Sequence, residues 1–233
     1  MQKTIDHPTT ALEADRLKEA ALRAEAWAGE PFLHPDEDPS EALAPGTARR
    51  RALDEALAEI EAGRGEPSPE WKVRFGLMLG LERVLSEKPP RLRSGTELRR
   101  HQIVPLPRLR TELIALNQRA PENGEPNGEG REEEVEDEEG LEEVEAEVEE
   151  GAPPADPGAA RRFRFRHPTA SGKTIAAAGF VEAARTLGVL ILTHRRLLVA
   201  QFKRELAAEG YGDRLVPEIL RGQRPPRPNP VTV

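Results

Sequence analysis

The sequence predicts an α/β fold in which a parallel-sheet unit with a phosphate-binding loop follows an all-helical N-terminal region. Over residues 1–90, apolar side chains recur at helical spacing between capping residues. From Arg161 onward, strand-like and helix-like segments alternate, which is typical of parallel sheets with crossover helices. The chain divides into a helical accessory region (1–90), a turn and helix (91–120), a disordered acidic insertion (121–160) and an incomplete α/β unit (161–233).

Three helices are predicted in the N-terminal region. Thr10 with Glu13 has the form of a capping box at the start of the first helix. The second helix begins at Thr47, and the third has Ser68 as its N-cap and Pro69 at the favoured first position. Their apolar positions are Leu12, Leu17, Leu22, Trp27, Leu53, Leu57, Ile60, Trp71, Phe75, Met78 and Leu85. Because short isolated helices are marginal in water, these stripes predict packing against each other or against the next domain.

The net charge of the chain conceals two regions of opposite sign. The whole chain carries −8, whereas residues 121–160 contain seventeen Asp and Glu against one Arg, a local charge of −16. The remainder therefore carries +8, which suits contact with a polyanion such as nucleic acid. The acidic segment has too little apolar content to offset its ordering entropy, so we expect it to be disordered. It serves either as a solvated linker or as a mimic that lies over a basic nucleic-acid groove.

The composition excludes several kinds of site and predicts a soluble, cytoplasmic protein. The chain has no cysteine, which excludes disulfides and thiolate zinc sites, and its five histidines lack metal-ligand spacing. The start, "MQKTIDHPTT", lacks the apolar core of a signal peptide. No apolar run approaches the roughly 18 residues of a membrane helix, so we expect no membrane partner.

The C-terminal part contains three strand-like and two helix-like segments. "RFRFR" alternates with period two and places Phe163 and Phe165 on one face. "VLILT" is a continuous apolar run typical of a buried parallel strand, and "NPVTV" predicts the start of another strand. The helices are "TIAAAGFVEAARTL", which ends at Gly188, and "HRRLLVAQFKRELAAE". The inward positions predicted for the second helix are Leu197, Leu198, Phe202 and Leu206.

The stretch "HPTASGKT", residues 167–174, lies between a predicted strand and a predicted helix. A phosphate-binding loop needs backbone amides directed at one spot, a helix N-terminus behind them, a lysine, and a hydroxyl for Mg²⁺. Lys173 would neutralise the β- and γ-phosphates as the catalytic cation, and Thr174 would hold the magnesium ion. The candidate nucleotide-binding residues of the loop are Thr169, Ala170, Ser171, Gly172, Lys173 and Thr174.

Together with two further segments, this loop resembles the superfamily-two DEAD/DEAH-type helicases, the group that includes type III restriction subunits and the excision-repair B helicase domain. "HPTASGKT" and then "GVLILTHRRLLVAQFKREL" look like motifs I and Ia, and "ELRRHQ" resembles the LRxxQ element. The resemblance implies an incomplete RecA-like lobe that includes residues 91–120, in which Gln102 binds the adenine of ATP. It also implies nucleic-acid contacts, to DNA in preference to RNA, from Thr193, His194, Arg195 and Arg196.

The chain departs from that family at several points. His167 stands where the loop pattern usually begins with Gly, and Ala170 replaces a frequent Gly. Pro105 and Pro107 are expected to disturb the helix after the glutamine element. The acidic pair of motif II and the second lobe would follow Val233 in the family's order. We therefore expect an N-terminal fragment, truncated after motif Ia, that binds ATP but does not hydrolyse it alone.

Two other functions fit parts of the sequence. "PTASGKT" also resembles the loop of the tRNA dimethylallyltransferases, which are phosphate-binding-loop transferases. In those enzymes an apolar strand directly precedes the loop near the N-terminus, whereas here "RFRFR" precedes it. A non-catalytic interaction protein is the other alternative, in which the acidic segment binds a basic partner and the α/β unit is a scaffold.

Overall fold

The computed structural model describes residues 8–118, 163, 172–217 and 228–233. This part of the chain is mixed α/β: it is mostly helical and contains one small parallel sheet. The predicted acidic insertion lies outside the described residues, as does most of "RFRFR"; Phe163 is described and belongs to no helix or strand. None of the helices in the described ranges is long and apolar enough to span a bilayer.

Nine α-helices and two π-helical turns are present in the described residues. The α-helices are α1 (Pro8–Ala28), α2 (Pro39–Ala42), α3 (Ala48–Glu61), α4 (Pro69–Trp71), α5 (Leu77–Ser86), α6 (Arg100–Ile103), α7 (Pro105–Gln118), α8 (Lys173–Ala183) and α9 (Arg196–Leu206). The π-helical turns are Lys72–Gly76, which joins α4 to α5, and Ala207–Tyr211, which follows α9.

The predicted caps at Thr47 and Ser68 are confirmed. The Thr47 hydroxyl accepts a hydrogen bond from the Arg50 amide at 3.1 Å, and the Ser68 hydroxyl accepts one from the Trp71 amide at 3.1 Å. Each bond satisfies one of the amides that a helix leaves unpaired at its start. The third predicted helix therefore begins where expected, but it contains the π-helical turn that the sequence pattern did not indicate.

An aromatic cluster forms the core of the N-terminal helices. The Trp71 ring centroid lies 5.4 Å from that of Trp27, 6.3 Å from that of Phe32 and 5.7 Å from that of Phe75. The buried Trp71 indole donates a hydrogen bond to the Ala52 carbonyl at 3.1 Å, so its polar atom is satisfied inside the core. The rings are tilted or edge-on, as their quadrupoles favour.

Two positions predicted to be apolar contacts of α1 are exposed. Leu12 and Leu22 are 64% and 66% exposed, whereas the smaller Ala21, Ala24 and Ala28 are buried. Helix α1 contacts α3, and on this helix the alanines are buried in place of the two leucines.

The segment after the glutamine element is helical, but the helix is interrupted at the prolines, since α6 ends at Ile103 and α7 begins at Pro105. Helix α7 begins at Pro105 and continues to Gln118. Pro105 and Pro107 both lie in the first turn of α7. Amides in this turn have no acceptor within the helix, so the hydrogen that proline lacks is not missed there.

Helix α8 packs tightly against the N-terminal helices. A Cβ built on Gly80 of α5 would lie 1.8 Å from the Ala183 carbonyl oxygen, so only a glycine fits at this crossing. One turn earlier, a Cβ on Gly76 would lie 3.2 Å from the Leu187 side chain. The helix that begins at the predicted phosphate loop is therefore held at its C-terminal end by α5.

A buried ionic network joins the same elements. Glu30, which has no exposed surface, accepts from Arg83 at 2.8 Å and from Arg185 at 3.1 Å. Arg83 also donates to the Glu182 carboxylate of α8 at 2.7 Å. A carboxylate buried this completely needs such charged partners, because an unpaired buried charge is strongly destabilising.

The sheet contains β1 (Val189–Leu190), β2 (Leu215–Val216) and β3 (Val231–Thr232), all parallel, with β3 in the centre. Val231 lies opposite Val189 on one side and opposite Leu215 on the other. The predicted strand in "NPVTV" is therefore confirmed, whereas β2 was not predicted.

The predicted burial of "VLILT" and of one α9 position is wrong. Leu190 and Leu192 are 66% and 83% exposed, and Leu197 at the start of α9 is 84% exposed, whereas Leu206 is fully buried as expected. Strand β1 lies at an edge of the described sheet, and an apolar run cannot indicate which of its faces is covered.

Candidate nucleotide-binding site

The described part of the predicted phosphate loop is the turn into α8. Gly172 adopts a left-handed conformation with φ of 75° at the N-cap position of α8. Its carbonyl accepts the helical hydrogen bond of the Ala176 amide at 3.0 Å. Lys173 and Thr174 are the first two residues of the helix; Lys173 is exposed and Thr174 is half-buried. Thr169, Ala170 and Ser171 lie outside the described residues.

Gln102 lies directly against this turn, although seventy residues of sequence separate them. Its Nε2 atom is 3.5 Å from the Gly172 carbonyl oxygen, and a Cβ on Gly172 would lie 2.6 Å from Nε2. The positive φ favours glycine at this position, and any larger residue would also displace the Gln102 amide. The structure thus brings together two segments that the sequence connected only through resemblance.

The Gln102 side chain also has a local role. It is 4% exposed, and its Oε1 atom accepts a hydrogen bond from the Arg99 amide at 2.9 Å, which caps α6. The amide group is thereby fixed with its nitrogen turned towards α8. Binding of an adenine by Gln102 stays a prediction, and it would require this amide to exchange its present partners for the base.

The loop that leads to Gln102 is held by the segment that follows α9. The Arg93 amide donates to the Tyr211 hydroxyl at 3.2 Å, and the Arg93 guanidinium binds the Asp213 carboxylate at 2.8 and 2.9 Å. Ser94 donates to the Glu209 carboxylate. Further along, the Leu98 side chain contacts α8, because a Cβ on Gly179 would lie 3.2 Å from it. Residues 91–102 therefore run along α8 to its N-terminal turn.

Polar groups at the other end of α8 fix that helix. The Arg214 guanidinium donates to the carbonyls of Val181, Ala184 and Leu187 at 2.8–3.0 Å. A cation at this end offsets the partial negative charge of the helix C-terminus. Burial raises the pKa of the Tyr211 hydroxyl, which stays protonated and donates to the Glu182 carboxylate at 2.9 Å.

The predicted nucleic-acid contacts lie in the turn between β1 and α9. His194, Arg195 and Arg196 are exposed, and Thr193 is half-buried. The Thr193 hydroxyl oxygen is buried and has no hydrogen-bond partner within the described ranges. Arg195 is the N-cap of α9 and no acidic residue occupies the first turn, so two arginines sit at the positive end of the helix dipole. A bound anion would offset this unfavourable arrangement.

Sequence reasoning missed the residues that support this site. They are Glu30, Arg83, Arg93, Glu182, Arg185, Tyr211 and Arg214. None forms a motif, since each bonds a partner far away in the sequence.

Comparison with known proteins adds no family to this description. No family model matches the sequence, and the comparisons with curated proteins and with solved structures returned no match. What the site does must therefore be inferred from its own residues and their geometry.

Proposed function

We propose that this chain binds ATP and magnesium as part of a RecA-like lobe of a superfamily-two helicase or translocase. The observation that supports the proposal is the contact between Gln102 and Gly172, with Nε2 and the carbonyl oxygen 3.5 Å apart. In that family, the glutamine element binds the adenine and the Gly-Lys-Thr turn binds the phosphates. Residues outside both segments, such as Arg93 and Tyr211, hold the loop that leads to Gln102.

The residues of the turn fit a polyphosphate. The left-handed Gly172 directs the chain into α8, whose first turn contains no acidic side chain that would repel an anion. Lys173 is exposed and would neutralise the β- and γ-phosphates, and the Thr174 hydroxyl would be a magnesium ligand. Magnesium bound there would supply charge neutralisation between the phosphates. Thr169, Ala170 and Ser171 would contribute the remaining backbone contacts.

Contact with nucleic acid belongs to the same proposal. Thr193, His194, Arg195 and Arg196 present two guanidinium groups and a helix N-terminus to solvent, and both favour phosphate oxygens. The nucleic acid proposed is DNA in preference to RNA. Such contacts fix the position of a strand rather than read its sequence.

The test is nucleotide binding by Lys173→Ala, measured with fluorescent ATP in the presence of magnesium. We expect binding to weaken at least tenfold, because the variant removes the charge that offsets the phosphates. Lys18→Ala, which removes an exposed lysine of α1, is the matched control and should bind like the unchanged chain. Gln102→Ala should reduce the ratio of ATP to GTP affinity, a ratio that is insensitive to a general loss of stability.

Two outcomes separate the alternatives. Equal ATP affinity in Lys173→Ala and Lys18→Ala would contradict nucleotide binding at this turn and favour an interaction protein. If ATP binds at Lys173 but single-stranded DNA binding is unaffected by Arg195→Ala with Arg196→Ala, a transferase is favoured instead. The proposal expects that double variant to lower the salt dependence of binding, with a log–log slope smaller by about 1.4 for single-stranded DNA.

A further inference from the structure

A polar cavity lies away from α8 and from the candidate nucleotide-binding site. It has a volume of about 290 Å³ and is lined by the turn after Phe32, by α3, by the end of α5 and by α7. Its charged and titratable residues are His34, Glu37, Arg49, Glu82, Lys88 and Arg110. None of them belongs to the proposed nucleotide or nucleic-acid contacts.

The two carboxylates of this cavity are already paired. Arg49 donates to Glu37 at 2.6 Å through Nη1 and to Glu82 at 2.9 Å through Nε. The hydrogen bond from the His34 amide to Glu37, at 2.9 Å, holds the same carboxylate. One guanidinium thus serves both acids, and these three side chains together carry a charge of −1.

The two remaining cations have no such partner. Lys88 and Arg110 form no ion pair with any residue that the structure describes, and together they bring the net charge of the lining to +1. The Nε atom of Arg110 and the Nε2 atom of His34 are both buried without a hydrogen-bond partner in the described ranges. A buried unsatisfied polar group costs about 1–3 kcal/mol, so two of them on residues that line one cavity require an explanation.

We propose that this cavity binds an oxyanion, a phosphate or carboxylate group of a small molecule, between Arg110, Lys88 and His34. A guanidinium presents paired N–H donors that match the oxygens of either group. One negative charge would neutralise the net charge of the lining. Burial, with the nearby Arg49, lowers the pKa of His34, so the ring is neutral at pH 7 and the positive charge of the lining belongs to the arginines and to Lys88.

The test is thermal stabilisation by inorganic phosphate and, separately, by succinate, each compared with chloride at equal ionic strength. All proteins carry Lys173→Ala, so that the turn before α8 does not contribute to phosphate binding. We expect a concentration-dependent rise in melting temperature with at least one of the two anions. Arg110→Ala should weaken that response at least fivefold, and Lys88→Ala should weaken it as well.

Arg108→Ala is the matched control, because Arg108 is an exposed arginine on the same helix that does not line the cavity. A response to phosphate alone identifies a phosphate ligand, and a response to succinate alone identifies a carboxylate. The proposal is overturned if neither anion exceeds chloride, or if Arg110→Ala responds as Arg108→Ala does. Arg110 makes no hydrogen bond through Nε, so its replacement should leave the fold intact, which circular dichroism will verify.

Discussion

His34 is surrounded by groups of both signs, and their sum favours the uncharged ring. Burial lowers its pKa most, and Arg49 lowers it further. The carboxylates of Glu37, Glu82 and Glu25 act in the opposite direction and do not compensate. Unfolding exposes the ring and restores its ordinary pKa of about 6.5.

This shift predicts a pH dependence of stability. The unfolded chain binds the His34 proton more readily, so the free energy of unfolding is highest above pH 6.5 and falls as the pH drops towards the folded pKa. Urea denaturation between pH 8 and pH 5.5 should show a smaller fall for His34→Gln than for the unchanged chain. His194→Gln is the control, since that ring is exposed. Identical slopes in all three proteins would show that His34 does not contribute.

Single residues could be predicted where their role is local. Thr47 and Ser68 were identified as caps because a cap depends on amides two or three positions away. Gly172 was identified as part of the phosphate-loop pattern, whereas its left-handed conformation was not predicted. The burial of Glu30 could not be predicted, because it depends on Arg83 and on Arg185, which is 155 residues away.

At the scale of elements, the crossing of α5 and α8 determines where the candidate nucleotide turn is placed. The Ala183 carbonyl lies where any side chain at Gly80 would have to go, and it belongs to backbone that cannot rotate away. The two helices must therefore separate if Gly80 is replaced. Movement of α8 would also move its first turn, which contains Lys173 and Thr174.

Gly80→Ala is expected to destabilise the protein by at least about 2 kcal/mol, because overpacking outweighs the better helix propensity of alanine. Gly65→Ala is the control: Gly65 has open space around it, and the change should be within about 1 kcal/mol in either direction. Urea unfolding of the two variants tests the difference. Equal stabilities would mean that α5 and α8 can separate at little cost.

Periodicity predicted most helices but not their environments. A helical repeat shows that one face is apolar, and it does not show whether a neighbour covers that face. Leu197 and Leu22 have the spacing of core residues and are exposed, while alanines of α1 are buried. The π-helical turn at Lys72–Gly76 was missed for a similar reason, since one inserted residue hardly changes the pattern.

At the scale of the whole molecule, one polar network connects the turn after α1 with α5, α8 and the segment after α9. It runs from Glu30 through Arg83 to Glu182, and from there through the Tyr211 hydroxyl to the Arg93 amide. The carboxylate of Glu182 therefore joins the N-terminal helices to the loop that leads to Gln102. Replacement of Arg83 should therefore perturb both the N-terminal helices and the loop that leads to Gln102.

Arg83→Met is expected to lower the free energy of unfolding by about 3 kcal/mol, because it leaves buried carboxylates without their main partner. The double variant Glu30→Gln with Arg83→Met should recover at least half of that loss. Arg91→Met, which breaks an exposed ion pair with Glu97, is the control and should cost less than about 1 kcal/mol. If urea denaturation shows the same free energy of unfolding for Arg83→Met and Arg91→Met, a role for the network is contradicted.

Because the partners of Glu30 lie far from it in the sequence, they are synthesised at different times. Glu30 leaves the ribosome 53 residues before Arg83 and 155 residues before Arg185. At about 5–20 residues per second, the last partner follows after roughly 8–30 seconds. During that interval the nascent N-terminal helices hold a carboxylate whose final counter-charges do not yet exist. The full set of partners of Glu30 therefore exists only after the second half of the chain has been translated.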